Sequence, residues 1–243
     1  MKNNLKDKVV LITGGGGGIG RAVAAKLSEF QMKIVLLGGN NVDKLEETCR
    51  IAEAKTRVLM LPGDLTDLEF IDAAVSRAVE HFGQIDILIN NAGVAQNRPF
   101  AEVTPEEFDR IMAINLRVPF FLTSRVLPFL KRSDAATVIN IASVVSHSGY
   151  PLQSVYSASK HALLGFTKSL ARECYRDHIR VHAISPGGVY TDMVKLSRPD
   201  LSADGMIMPE EIAEIVSFFL LNRGNAVIDE IVVHRLNKEP FLV

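Results

Sequence analysis

Tyr156 and Lys160 lie four residues apart in Ser154-Val-Tyr-Ser-Ala-Ser-Lys160, and Ser143 precedes the tyrosine by thirteen residues. On a helix a four-residue spacing is about one turn, so the phenol and the ammonium share a face. A cation beside a phenol stabilises phenolate and is expected to draw its pKa down from about 10. A phenol tuned in that way can pass a proton to a carbonyl oxygen or take one from an alcohol. Ser143 ends the run Ile139-Asn-Ile-Ala-Ser143. A hydroxyl at the carboxyl end of a strand in an open α/β sheet faces the ligand crevice and can hydrogen-bond a substrate oxygen there. Ser146 is the rival serine. A Tyr–Lys pair also arises by chance on solvent-facing helices, so the surrounding elements must decide.

Those elements alternate along the chain. Short β-branched runs at 9–13, 33–37, 57–61, 85–90, 137–141, 180–184 and 226–233 read as strands buried on both faces. Helical patterns fill the intervals at 19–30, 42–54, 68–82, 105–131, 153–175 and 209–221. Thr104-Pro105-Glu106-Glu107 is a helix start, with a capping residue, proline in the first turn and acids beside it. This alternation predicts an α/β fold, a doubly wound parallel sheet of about seven strands with helices on both faces. We expect one domain over 1–243, with a short substrate segment at about 192–208 and loops at Arg98-Pro99 and Ser197–Asp204.

Thr13-Gly-Gly-Gly-Gly-Gly-Ile-Gly20 follows the first strand and opens the first helix. Glycines allow backbone to approach a bound group closely, and a helix N-terminus offers free N–H groups to phosphate. No Lys-Ser/Thr follows, so the P-loop reading fails. A flexible turn is the plainer reading of the glycines alone. Their place in a βαβ unit favours a dinucleotide site.

Composition excludes other classes. The chain has 243 residues, 47% apolar, with a net charge of -1 and no tryptophan, which gives no case for nucleic acid or an anionic membrane. No apolar run is long enough to span a bilayer, and the polar N-terminus lacks a signal-peptide core. Cys49 and Cys174 have neither metal nor redox spacing, and His161 and His178 have no metal-like partner, so we expect free thiols, no metal site and a cytoplasmic location. His147 follows Ser143 closely, but a loop histidine most often faces solvent.

Taken together, the motifs resemble the short-chain dehydrogenase/reductase family over nearly the whole chain. Thr13–Gly20 matches its glycine spacing, Asn90-Asn-Ala-Gly93 its segment after the fourth strand, and Pro186-Gly187 with Thr191 its nicotinamide-side loop. Asn115, Ser143, Tyr156 and Lys160 match its catalytic tetrad. The resemblance implies a Rossmann fold and an NAD(P)-dependent oxidoreductase that interconverts a carbonyl and a secondary alcohol. Tyr156 is then the general acid/base, Ser143 orients the substrate oxygen, Lys160 holds ribose hydroxyls, and Asn115 links its helix to Lys160 through a water. A structural amide bond to neighbouring backbone is the other reading of Asn115. The implied cofactor contacts are Gly14, Gly16, Gly17, Gly18, Ile19, Gly39, Asn40, Asp64, Leu65, Asn91, Ala92, Gly93, Tyr156, Lys160, Pro186, Gly187, Val189 and Thr191. Asp64 serves equally well as a helix cap, and Asn90 and Asn91 as braces of the sheet. The resemblance further implies a homodimer or homotetramer formed on helices 105–131 and 153–175.

Two departures narrow the reading. At the end of the second strand an acid selects NAD and an arginine NADP; here Gly39 and Asn40 take those places, and Gly17 stands where NADP enzymes often carry a basic residue. Losing the acid removes the discrimination against a 2′-phosphate, so NADP(H) is expected over NAD(H), with Asn40, Asn41 and Lys44 as its contacts. The C-terminus lacks the Gly-Gly turn of many fatty-acyl and steroid members and resembles more the ending of broad-specificity carbonyl reductases and hydroxy-acid dehydrogenases, which weighs against a fatty-acyl reductase; the substrate is expected to be of carbonyl, 3-oxoacyl or hydroxy-acid type. Lys195 and Arg198 are candidates for a substrate clamp. A non-catalytic NAD(P)-sensing protein is the alternative from another class, and a nucleotide-sugar epimerase or dehydratase a third that this length barely accommodates.

Overall fold

The computed structural model describes residues 3–39, 41–197 and 202–239. Its frame is one parallel sheet of seven strands in the order β3-β2-β1-β4-β5-β6-β7. The strands are β1 (Val9–Thr13), β2 (Lys33–Leu37), β3 (Val58–Leu61), β4 (Ile87–Asn90), β5 (Thr137–Ile141), β6 (Arg180–Pro186) and β7 (Glu230–Val233). The helices are α1 (Gly18–Ser28), α2 (Val42–Glu53), α3 (Leu68–Phe82), α4 (Pro105–Met112), α5 (Val118–Leu130), α6 (Ser154–Cys174), α7 (Asp192–Ser197) and α8 (Pro209–Leu221).

Side-chain alternation along the strands explains the two layers. Val10 and Ile12 of β1 pack with Leu27 of α1, Leu45 of α2 and Val216 of α8. Their neighbours Val9 and Leu11 face the opposite way, onto Ile71 of α3, Leu122 of α5 and Leu170 of α6. A strand with apolar residues at both parities must be covered twice, and this one is.

The chain winds outward from β1 to β3, then crosses back to place β4 on the other side of β1. That reversal opens a crevice at the carboxyl ends of β1 and β4, the place where open α/β sheets bind ligands.

The expected elements are present with shifted bounds. Ile85 and Asp86 precede β4 rather than belonging to it: the Asp86 carboxylate accepts from Val9 N at 2.8 Å and from Ser133 Oγ at 2.5 Å. Residues 226–229 likewise precede β7. The helix expected over 105–131 is interrupted by a π-helical turn at Ala113–Arg117 that carries Asn115. Helix α7 begins within the expected substrate segment and takes Ser197 as its last residue.

Candidate active site

At the β1 end of the crevice, Gly14 has φ +67, and a Cβ there would stand 2.9 Å from Ala92 Cα. A Cβ on Gly20 would meet the Gly14 carbonyl oxygen at 2.3 Å. Only hydrogen side chains let the loop fold back on its own helix and on the β4 loop. Asn91 locks that junction, donating from Nδ2 to the carbonyls of Thr13 at 3.0 Å and Gly14 at 3.1 Å. Thr13 Oγ1 accepts from the N–H groups of Asn91 and Ala92, both at 3.0 Å. The Asn91 amide is thus a brace that shapes the cradle. Asn90 braces the sheet below, donating to Asn140 Oδ1 at 2.8 Å.

Helix α1 starts with no side-chain cap and no acid in its first turn, whereas α2, α3 and α4 are capped by Asn41, Asp67 and Thr104. Its N–H groups and the positive end of its dipole remain available to an anion. Next to Gly17 there is nothing within 4 Å of where a Cβ would lie. The cradle therefore fits a dinucleotide diphosphate over Gly16, Gly17, Gly18 and Ile19. Thr191 closes it from the far side, with Cγ2 2.9 Å from a Cβ built on Gly18. Gly187 N donates to Val233 O at 2.8 Å, and Val189 bridges to Ile207, which holds the Pro186–Thr191 loop against β7.

Gly38 and Gly39 end β2 at φ +95 and +97, and Leu65 lies against Gly38. Asp64 accepts from Thr66 N and Thr66 Oγ1, both at 2.8 Å, while Asp67 caps α3. The helix-cap reading of Asp64 thus passes to Asp67. Asn40 lies outside the described residues, as does Arg198.

At the other end, β5 delivers Ser143 and α6 delivers Tyr156 and Lys160. Ser143 is buried and caps a single 3-10 turn at Val144–Ser146. Its hydroxyl makes long contacts at 3.4 Å, to Pro186 O and from Val145 N, and also interacts with the Tyr156 phenol. Ser146, the rival, is buried with its hydroxyl unpartnered among the described residues. Lys160 is 4% exposed and donates from Nζ to Ile141 O at 2.8 Å. Its Nζ lies 5.9 Å from the centre of the Tyr156 ring.

The electrostatics depart from the expectation for the pair. Burial pushes the Tyr156 phenol up from its ordinary value, and a hydrogen-bonding interaction with Ser143 only partly opposes it. Burial also lowers the Lys160 ammonium to about 8. Among the protein's own groups desolvation dominates both shifts, and the Lys160 ammonium donates to Ile141 O rather than to the phenol.

Asn115 in the π-turn makes the structural contacts that were its other reading. Its Oδ1 accepts from Val94 N at 2.8 Å, and its Nδ2 donates to Val94 O and Ser159 Oγ, both at 3.0 Å. Ser159 in turn donates to Tyr156 O at 2.8 Å. A Cβ on Gly93 would stand 3.3 Å from Asn115 Oδ1 and 3.6 Å from Lys160 Nζ. Asn115 therefore ties the Ala92-Gly93 loop to the helix of Tyr156 and Lys160.

Three site residues, Gln96, Glu230 and Ser185, escaped the sequence reading. Gln96 is buried, and its Oε1 accepts from Val155 N at 2.8 Å and Tyr156 N at 3.4 Å, capping α6 from a distant loop. His147 is exposed, as a loop histidine is expected to be, and its Nε2 also lies 2.7 Å from Glu230 Oε1. Ser185 donates to the same carboxylate oxygen at 2.5 Å. The adjacent acids Asp229 and Glu230 in the otherwise apolar run 226–233 were the signal for Glu230; nothing in the local pattern marks Gln96. Lys195 Nζ lies 4.6 Å from the centre of the Tyr190 ring and 3.8 Å from Asp192. A cavity of about 590 Å³ opens beside Gly17, Gly18 and Thr191, but no tetrad residue lines it. Among the described residues no group of three or more His, Cys, Asp or Glu side chains is placed to hold a metal, and no helix is long and apolar enough to cross a membrane.

Known proteins share this arrangement. Residues 8–202 match the family model for short chain dehydrogenase. Levodione reductase of Leifsonia aquatica is 36% identical over 211 residues, covering 86% of this chain and 78% of that protein. The crystal structure of 3-ketoacyl-(acyl-carrier-protein) reductase from Brucella melitensis, complexed with NADH, superposes with a TM-score of 0.83 at 28% identity, over 95% of this chain and 97% of that one. The alcohol dehydrogenase of the archaeon Thermococcus sibiricus, complexed with 5-hydroxy-NADP, gives 0.88 at 26% identity, over 97% and 99%. With its glycine cradle, its Ser143–Tyr156–Lys160 group and this match over most of its length, the chain belongs to the short-chain dehydrogenase family, whose oxidoreductases act on the carbonyl–alcohol couple.

Proposed function

We propose that this chain reduces a small ketone or aldehyde to the alcohol with NADPH, and runs the reverse reaction with NADP+. The observation that carries the reading is the meeting of Ser143, Tyr156 and Lys160 at the crevice beside the uncapped start of α1. When bound, the cofactor supplies a hydride to the carbonyl carbon. The chain's own groups do the rest. Gly16, Gly17, Gly18 and Ile19 receive the diphosphate, Ala92 and Gly93 the adenosine side, and Pro186, Gly187, Val189 and Thr191 the nicotinamide side. Ser143 donates to the substrate oxygen, since its hydroxyl stands with the Tyr156 phenol and its contacts to the main chain are long. Tyr156 gives its proton to that oxygen; a phenol raised by burial is fully protonated at neutral pH, which suits reduction. Lys160 holds the ribose hydroxyls from a position fixed by Ile141.

NADP(H) is preferred because Gly39 offers no carboxylate to repel a 2′-phosphate, while Lys44 beside Gly16 offers a cation. The substrate is a simple carbonyl, a 3-oxoacyl compound, or the oxo acid that corresponds to a hydroxy acid. The whole chain works as one domain, with 192–208 as its substrate segment. Phe120 on α5 is 47% exposed and packs 5.0 Å from Phe166 of α6, an apolar face that supports a homodimer or homotetramer. Free Cys49 and Cys174 suit the cytoplasm. No observation favours the sensor reading. A panel of ketones, aldehydes and hydroxy acids, run with NADPH and NADH in parallel, tests the proposal. Turnover that prefers NADPH is expected; cofactor binding without any change in nicotinamide absorbance for every substrate would overturn it.

A further inference from the structure

We infer that Asp192 weakens the chain's hold on NADP by occupying the Lys44 ammonium that a 2′-phosphate needs, so that this ion pair sets the cofactor ratio. The inference rests on the preceding reading that Lys44 serves the 2′-phosphate, and it assigns a specificity role to a residue of the substrate side.

The geometry begins with α2. Asn41 caps it by accepting from Lys44 N at 3.0 Å. That turn lies against the glycine loop: a Cβ on Gly16 would stand 3.4 Å from Leu45 N and 3.5 Å from Lys44 Cβ. A Cβ on Gly39 would stand 3.8 Å from Asn41 O, so Lys44 rises beside Gly16 in the turn that follows the end of β2. Its Nζ is partly exposed but not free. It forms an ion pair with Asp192, the first residue of α7, 148 positions later in the chain. Asp192 is placed there by Thr191, which packs on Gly18.

The nearby guanidinium cannot substitute for Lys44. Arg21 bonds Glu47 at 2.8 Å, Gly16 O at 3.0 Å and Thr48 Oγ1 at 3.2 Å. Asp192 is also a steady competitor. Lys44 foremost, then Lys195 and Arg21, hold its carboxyl below the usual carboxylate range, so it stays charged at any working pH.

A 2′-phosphate carries more charge than a carboxylate and can win the ammonium, but it must first break the pair. NAD presents only a hydroxyl at that position and has no such competition. Both partners are about half exposed. A pair of that kind contributes at most about a fivefold effect on an equilibrium. The cost therefore falls on NADP alone and is modest.

The test measures dissociation constants of NADP+ and NAD+ by protein fluorescence for wild type, Asp192→Asn, Lys44→Gln and the double variant, with circular dichroism to confirm the fold. Asp192→Asn is expected to tighten NADP+ about three- to fivefold and leave NAD+ unchanged. Lys44→Gln should weaken NADP+ selectively, and in its background Asp192→Asn should add nothing. An equal change for both cofactors in Asp192→Asn, no change for either, or a gain that persists without Lys44 would overturn the inference. Which cofactor wild type binds more tightly judges the NADP preference separately. A wild type that favours NAD+ defeats that preference, while the selectivity of the Asp192→Asn change is read on its own.

Discussion

The Lys160 ammonium donates a 2.8 Å bond to the main-chain oxygen of Ile141, so the lysine of α6 is anchored to the strand that leads into Ser143. That bond places a charge in a site with 4% exposure, and burial lowers the ammonium to about 8. A base whose folded pKa is depressed costs stability wherever it must be charged. The penalty is absent above its unfolded value near 10.5, grows as pH falls toward 8, and is complete below it. Lys160→Met should therefore make the protein more stable at pH 7 by about 1–3 kcal/mol, with the gain fading at pH 10, while turnover is lost. Urea melts at the two pH values check this, and a less stable variant at pH 7 would count against it.

Tyr156→Phe keeps the ring and removes the proton. Turnover should fall by about a thousandfold, within the usual range for a general acid, with cofactor dissociation constants little changed. The wild-type pH profile carries a sign as well. Because burial raises the phenol, carbonyl reduction should hold steady from pH 6 to 9, while alcohol oxidation, which needs phenolate, should climb over the same interval. Oxidation that is flat with pH would contradict the raised phenol.

Asn115→Ala removes three hydrogen bonds at once and leaves the Val94 N–H and C=O without their partner. A loss of about 2–4 kcal/mol in chemical denaturation is expected. Weaker cofactor binding should accompany it, because the same amide steadies Gly93 next to Lys160. An Asn115→Ala protein with wild-type stability would show that water replaces the amide without cost.

His182, far down β6, is buried, stacks on Phe219 at 4.3 Å between ring centres and has Nδ1 2.7 Å from Ile228 O. Burial lowers its pKa to about 4. Its neutral form is the folded form, so the stability it supports is complete above about 6.5 and is lost as pH falls through 4. The loss is expected to be about 3 kcal/mol at most. Thermal melts between pH 7 and 4 should show this slope in wild type and a shallower one in His182→Phe; parallel slopes would contradict it.

Local spacing carried the reading a long way. The alternation of apolar runs foretold the parallel sheet, since a strand covered on both faces must be apolar at both parities, as Val9 to Ile12 are. Tyr156 and Lys160 were legible because one helical turn fixes their relation, and the glycine loop because backbone crowding at Gly14 and Gly20 admits no side chain. Contacts between distant parts of the chain left no such mark. Gln96 caps α6 from 59 residues away, Glu230 meets His147 across 83, and Lys44 meets Asp192 across 148. Polar partners of this kind have no period to betray them; they are chosen by which loops the sheet order brings together. The lowered Lys160 and raised Tyr156 belong to the same class, since solvent exclusion arises only when β5, α6 and the Gly93 loop have closed around them.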